Sequence, residues 1–233
     1  MKGPNFYEIF KKASTEHKQE PHVKAVGTYH VSQLTKCIRQ SYYSHFLKTE
    51  YSDATKLIFR AGEEIHLQMK NAIKLEYPDA EFEVPCEVRL SKYKIQGHID
   101  VVVPNQFAVE IKSTAWPKKQ PDQFHVQQLN AYLVMQGLPI GYLVYVTKNT
   151  LIPVQFAIEK DNRLWKKMVQ RAYKLHNHLL EKTVPEAEFW NLFNDEGSNW
   201  YCKNCFYRQE CMKDLNLGNP KEFKIALNLH KKS

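Results

Sequence analysis

The stretch IQGHIDVVVPNQFAVEIKST, residues 95–114, places Asp100, Glu110 and Lys112 among β-branched residues. Charged groups are costly to bury unless they share a task. On a strand, Glu110 and Lys112 fall on one face and Ile111 on the other. Asp100 precedes them across a turn signalled by Pro104-Asn105, and a hairpin register brings it beside Glu110. Two carboxylates held together suit Mg²⁺ or Mn²⁺, which prefer oxygen ligands. Without a cation their mutual repulsion raises a pKa. Glu-x-Lys also occurs at Glu16–Lys18 and Glu222–Lys224, where it reads as a solvated ion pair. Only the middle copy lies on a β-branched strand after GHID, where Gly97 permits close backbone approach.

Three further side chains join the candidate site. His66 falls in the stripe Ile58, Ile65, Met69, Ala72 and Ile73, so it is expected to face inward, either as a hydrogen-bonded core residue or as a ligand beside the acidic pair. Gln128 and Tyr132 are i and i+4 on a helix, hence on one face. They form either a surface pair or a pair that hydrogen-bonds a phosphate or a lysine.

The cysteines suggest a second centre. Cys202, Cys205 and Cys211 stand as C-x2-C-x5-C in WYCKNCFYRQEC, with Cys37 near the start and Cys86 in VPCEV. In a reducing compartment such a cluster points to metal rather than disulfides. Four thiolates suit Zn²⁺ or an iron–sulfur cluster, although zinc sites more often pair two short hooks and only one occurs here. Cys86 reads as an ordinary buried thiol. His176 and His178, at i and i+2 on a helix, do not face each other and read as incidental.

The elements that must position these residues follow from hydrophobic period and breakers. A short helix is expected over 5–18. Ser32 reads as the N-cap of a helix to about Lys48, and Asp53 as the cap of a longer one ended by Tyr77-Pro78-Asp79. Three strands follow, EFEVPCEVRL, YKIQGHIDVVV and FAVEIKST. Next come a helix between Pro121 and Gly137, a nearly continuous apolar strand IGYLVYVTK, a strand IPVQFAIE, and a helix from Asp161 to Glu181. The basic tail over 221–233 is expected to form a short helix or strand. The order implies an α/β fold with a mixed central sheet flanked by helices.

The chain has 233 residues, 43% of them hydrophobic, enough for one good core. It lacks an apolar run long enough to span a membrane. Its first residues lack the apolar core of a secretory signal, so a cytoplasmic protein without membrane contact is expected. The net charge of +8 favours a polyanionic partner, most often nucleic acid. Arg39, Tyr42 and Tyr43 flank Cys37, and Trp116, Lys118 and Lys119 follow the Glu-x-Lys strand. Basic and aromatic residues together suit a single strand, whose bases are free to stack. Each is equally readable as a solvated or core residue.

GEEIH, GHID, EIK and QLNAY, in this order, resemble the RecB-type PD-(D/E)xK nucleases. One cysteine before and three after that core narrow the resemblance to the iron–sulfur branch, and LTKCIRQSYYSHF with the compact length most resembles its CRISPR-associated exonucleases. The resemblance covers roughly residues 30–212. It implies a restriction-endonuclease-like core over about 53–182 and an iron–sulfur lobe from about 30–50 plus 183–215, in a single nuclease domain. It implies that His66, Asp100, Glu110 and the Ile111 carbonyl ligate Mg²⁺ or Mn²⁺, that Lys112 orients or activates the attacking water, and that Gln128 and Tyr132 position DNA or the catalytic residues. It implies a 4Fe–4S cluster on Cys37, Cys202, Cys205 and Cys211. The activity implied is metal-dependent DNA hydrolysis, preferring single strands, 5′ to 3′, with a role in CRISPR spacer acquisition beside adaptation proteins; oligomerisation is compatible with it. The flanks outside the family core leave two alternatives: a virus-encoded or repair nuclease of the same family outside CRISPR, and a non-catalytic nucleic-acid-binding module with a four-cysteine metal site.

Overall fold

A computed structural model describes residues 4–15, 25–49, 51–188, 201–202 and 204–214. The expected tail element over 221–233, and the end of the first expected helix, lie outside them. In chain order the elements are α1 (Phe6–Thr15), β1 (Thr28–His30), α2 (Val31–Leu34), α3 (Ile38–Phe46), α4 (Asp53–Glu76), β2 (Glu81–Leu90), β3 (Tyr93–Val103), β4 (Phe107–Thr114), α5 (Gln123–Gln136), β5 (Ile140–Thr147), β6 (Pro153–Glu159), α6 (Asn162–Glu181) and α7 (Arg208–Asp214). The mixed sheet flanked by helices is as expected.

The sheet runs β1-β3-β4-β5-β6, with β2 also on β3. β2 pairs antiparallel with β3 along nearly its whole length, from Glu81↔Val102 to Leu90↔Tyr93, and so occupies one edge of β3. The other edge is shared. β1 pairs parallel over Lys94–Gln96 and β4 antiparallel over Val101–Val103. Between them, Gly97 to Asp100 face a fork. β5 pairs parallel with β4, and β6 antiparallel with β5. α5 is the crossover that a parallel β4–β5 pair requires. It starts at an Asp122 cap and stops at Gly137, whose left-handed φ of 70° suits glycine.

Two apolar clusters line the two sheet faces. One joins Ile95, Ile99, Val102, Ala108, Leu143 and Tyr145 to buried residues of α2, α3, α5 and α6. The other joins Ile65 of α4 to Val101, Val103, Val109, Ile111, Val144 and Val146. Strand alternation would keep Ile99 and Val101 on one face, yet they lie in different clusters. On β2 the same switch separates Val84, packed on the first cluster, from Phe82, packed on the second. The switch falls at Glu83 and Asp100. Glu83 takes a positive φ of 50° there, so both strands change faces at the level of the fork.

Three expectations are corrected. Ser52, not Asp53, caps α4, its side chain accepting the Thr55 amide; Asp53 is the first helical residue. Ile58 is exposed, so the inward stripe of α4 begins later, at Ile65. The helix expected from Ser32 to Lys48 is two helices with a break around Cys37. A continuous helix would send the Ile38 amide to the Leu34 carbonyl. Instead Ile38 N donates to Glu188 Oε2 at 2.9 Å, while Leu34 O accepts from Arg171 Nε at 2.8 Å. The Cys37 amide goes to Tyr201 Oη. Tertiary partners have replaced the helical ladder. Strand β1 has no sequence signal beyond Tyr29, which is fully buried and meets His176 Nδ1 at 2.8 Å. His176 is therefore a core residue, while His178 bonds Thr183 past the end of α6.

Candidate active site and cysteine cavity

The fork gathers the charged residues. The β3–β4 ladder ends at Val101↔Val109. The Asp100 side chain then takes over the next amide of β4, its Oδ2 accepting from Ile111 N at 2.7 Å. This fixes the carboxylate against the strand that carries Glu110. His66, on α4, brings Nδ1 to 3.8 Å from Asp100 Oδ2. Glu110 and Lys112 share a face, as expected, with Lys112 Nζ 2.6 Å from Glu110 Oε1. Gln128 on α5 completes the group: its Nε2 donates to the same Glu110 oxygen at 2.7 Å, and its Oε1 accepts from Lys112 at 3.3 Å. Tyr132, one turn on, accepts from Gln128 Nε2 at 3.3 Å and packs over Gly97. A Cβ on Gly97 would stand 2.6 Å from the Tyr132 ring, so only glycine lets that ring reach the strand.

The electrostatics are strained. Glu110 is 2% exposed. Burial pushes its carboxyl up to about 8, a shift that the Lys112 ammonium opposes and the Asp100 charge reinforces. Burial also raises Asp100, against the Ile111 amide, His66 and the lysines. Burial lowers His66, against the Asp100 charge, which keeps the imidazole in its neutral, ligating form at neutral pH. Glu110 Oε2 is buried without a hydrogen-bond partner. A buried acceptor left open marks a place for a cation or a donor. His66, Asp100 and Glu110 fit a hard divalent ion by donor type, but among the described residues no three His, Cys, Asp or Glu groups already converge as a cation cage.

One cleft opens at His66 and a second runs along β1 and the part of β3 that pairs with it. One, of about 420 Å³, is lined by Ile58, Phe59, Gly62, His66, Ser113 and Lys148. The other, of about 560 Å³, is lined in part by Lys36, Tyr51, Lys94, Gln96 and Phe206. The Lys36 charge reaches both Lys112 and Cys205.

Cys37, Cys202, Cys205 and Cys211 are free thiols around one small cavity. Burial and the neighbouring sulfurs push Cys202 up to about 12 and Cys205 to about 11, and burial raises Cys211. Cys86 lies apart on β2, its thiol raised by burial and facing Gly97 O.

The chain is similar to the CRISPR-associated exonucleases. It is 26% identical over 217 residues to CRISPR-associated exonuclease Cas4 of Saccharolobus solfataricus, covering 89% of this chain and 97% of that protein. The solved structure of SSO0001 superposes with a TM-score of 0.64 at 25% identity, over 88% of this chain and 95% of that one. The alkaline exonuclease LHK-Exo of Laribacter hongkongensis shares the fold, with a TM-score of 0.50 at 11% identity over 67% of this chain and 90% of that one. No protein-family model matches. The resemblance read from the motifs thus holds along most of the chain.

The structure distributes the remaining expected residues unevenly. Arg39 and Tyr42 are buried. Arg39 Nε donates to Pro185 O at 2.5 Å and Nη1 to Cys211 Sγ at 3.6 Å, so its charge is spent inside the fold. Trp116 is 77% exposed. Lys119 is exposed, and Lys118 lies 5.9 Å over the Tyr145 ring. Three titratable residues beside the site escaped the sequence reading. His125 bonds Tyr145 Oη at 2.9 Å, and burial with the Lys112 charge lowers it to about 4; its position one turn before Gln128 was the available signal. Lys70 follows His66 by four residues, which was likewise legible. Glu83 had none.

Proposed function

We propose that the chain is a metal-dependent deoxyribonuclease that hydrolyses phosphodiester bonds, and that it is a single nuclease domain. The observation that carries this reading is Glu110: one oxygen is committed to Lys112 and Gln128, and the other is buried and open beside Asp100. Asp100, Glu110, His66 and the Ile111 carbonyl would hold Mg²⁺ or Mn²⁺, which polarises a phosphoryl oxygen and lowers the pKa of a bound water. Lys112 is a compact charge for a phosphate oxygen or the attacking water, and Gln128 and Glu110 hold it in place. Tyr132 sets the position of Gln128. Direct attack by water is the mechanism in this reading, with the metal lowering the pKa of that water. The name of its curated relative supports exonuclease action and an association with CRISPR; 5′ to 3′ polarity, a role in spacer acquisition and adaptation proteins as partners are carried in this reading by the motif resemblance alone.

Single-stranded DNA is the preferred substrate in this reading. Its support is the pair of clefts, whose walls hold the aromatic group Phe59, Tyr51 and Phe206 with Lys36 and Lys148, while Lys94 is paired with Glu87. Trp116 and Lys119 extend that surface.

Cys37, Cys202, Cys205 and Cys211 hold a structural 4Fe–4S cluster in the same reading. Four thiols surround one cavity. Four thiolates suit either Zn²⁺ or an iron–sulfur cluster, and the single short C-x2-C hook, where zinc sites more often pair two, favours the cluster. Metal binding would displace the protons of these buried thiols and supply the positive charge that their thiolates need.

The test is incubation of end-labelled single-stranded DNA with Mg²⁺ or Mn²⁺, with and without EDTA. Asp100→Ala and Lys112→Ala should each abolish cleavage while fold and DNA binding persist. Cleavage by Asp100→Ala at the parental rate with Mn²⁺ would sink the assignment. Binding without turnover in the parental protein would instead support a non-catalytic nucleic-acid-binding module.

A further inference from the structure

Lys70 and Glu83 belong to none of the motifs above, yet they sit at the rim of the fork. Lys70 lies one turn after His66 on the same face of α4. Glu83 stands on β2 between Phe82 and Val84, whose partners Val101 and Ile99 flank Asp100 on β3. The two side chains form an ion pair, with Lys70 14% and Glu83 59% exposed. The Lys70 charge reaches His66 and Asp100, and the Glu83 charge reaches His66 and Glu110.

As a stabilising device the pair is poorly placed. Glu83 occupies left-handed backbone that disfavours a side chain, and its charge adds to the repulsion on Glu110. As a holder for an ammonium it makes sense. The sheltered lysine stays beside the metal-binding candidates, while the exposed carboxylate is the member free to leave. A lysine ammonium, with three donors on a compact charge, suits phosphate as well as carboxylate.

We propose that Lys70 binds a backbone phosphate of the substrate strand and that Glu83 is its anionic stand-in, holding the ammonium until phosphate displaces it. The proposal rests on the nuclease reading for the identity of the strand. It makes the effect of Glu83 on binding depend on Lys70, which independent charges beside a polyanion do not do.

The experiment measures binding of a fluorescent single-stranded oligonucleotide to the full chain by anisotropy, with Ca²⁺ replacing Mg²⁺, across a salt series. Lys70→Gln should weaken binding about three- to tenfold and flatten the dependence of log K on log salt by about 0.7, the contribution of one phosphate contact on a single strand. Lys70→Arg should restore both. Glu83→Gln should tighten binding, and the Lys70→Gln/Glu83→Gln double variant should bind like Lys70→Gln alone. Lys70→Gln with parental affinity and salt slope overturns the proposal, as does weaker binding by Glu83→Gln. So do lowered melting temperatures in both variants with neither salt slope moved. A parental protein that binds the oligonucleotide but cleaves with neither Mg²⁺ nor Mn²⁺ ends the nuclease reading alone; one that does not bind ends both.

Discussion

Glu110 shows how one residue can be held in a state that its surroundings oppose. Its ordinary carboxyl value of 4.5 is pushed to about 8 by burial, so the folded protein without a cation holds a proton that the unfolded chain releases. Where the folded state binds more protons, stability falls as pH rises. The loss begins near 4.5 and is complete near 8. Glu110→Gln removes this titration. In EDTA, its melting temperature relative to the parent should therefore climb from about pH 5 to about pH 8, by a few degrees. With Mg²⁺ or Mn²⁺ the comparison should reverse, because only the parent keeps the carboxylate. A melting difference that is flat with pH in EDTA would show that Glu110 is not the strained group. Gly97 is the steric counterpart. Its alanine variant must displace the Tyr132 ring from a 2.6 Å contact, and through Gln128 it disturbs Lys112. We expect Gly97→Ala to lose at least about tenfold in cleavage with a modest fall in melting temperature. Unchanged turnover would remove Tyr132 from the positioning chain.

At the scale of elements, what was legible is what repeats locally. Val- and Ile-rich runs between turn signals marked β2 to β4, a nearly continuous apolar run marked β5 with β6 after it, and i,i+4 spacing put Gln128 beside Tyr132. The turn at Pro104-Asn105 set a register that brought Asp100 to Glu110. The break between α2 and α3 was not legible, because no Gly or Pro marks it and its cause lies at Glu188 and Arg171, far along the chain. Burial of Arg39 and Tyr42 was hidden for the same reason: a basic or aromatic residue beside a cysteine looks alike whether Pro185 covers it or solvent does. The face change at Glu83 and Asp100 breaks the very alternation from which strands are read. The break at Cys37 is itself testable. Glu188 accepts the Ile38 amide and both ends of the Arg171 guanidinium, at 3.2 and 3.1 Å. Removing one partner of a buried pair costs about 3–5 kcal/mol. Arg171 keeps the Leu34 and Lys36 carbonyls, so Glu188→Ala should fall at the lower end, about 3 kcal/mol by denaturant titration. A loss below about 1 kcal/mol would mean that α3 is placed by its apolar face alone.

Across the whole molecule, the sheet and the cysteine cavity share one apolar cluster unequally. The sheet has an apolar cluster on each face. The cavity lies at the margin of the first, through Tyr43, Tyr207, Cys205 and Cys211, and adds Arg39 and a few polar ties: Cys37 to Tyr201, Tyr43 to Asp214, and Thr49 to Tyr207 at 2.6 Å. A cluster on Cys37 and Cys211 would close a long loop, and cross-linking distant residues restrains the chain most. Its loss should therefore loosen α3 and α7 first and leave the central strands intact. Cys211→Ser, prepared without oxygen, should lose iron and acid-labile sulfide together. Hydrogen exchange should then quicken at amides in 38–46 and 204–214, with β3, β4 and β5 protected as in the parent, because local opening reports the weakest cooperative unit. Cleavage should fall even so, since the Lys36 charge is felt by both Cys205 and Lys112 and Lys36 lines one of the two clefts. Equal quickening in β3 to β5 would mean that cavity and sheet unfold as one body. A parental protein carrying stoichiometric zinc and no sulfide would replace the cluster by a single Zn²⁺ on the four thiolates.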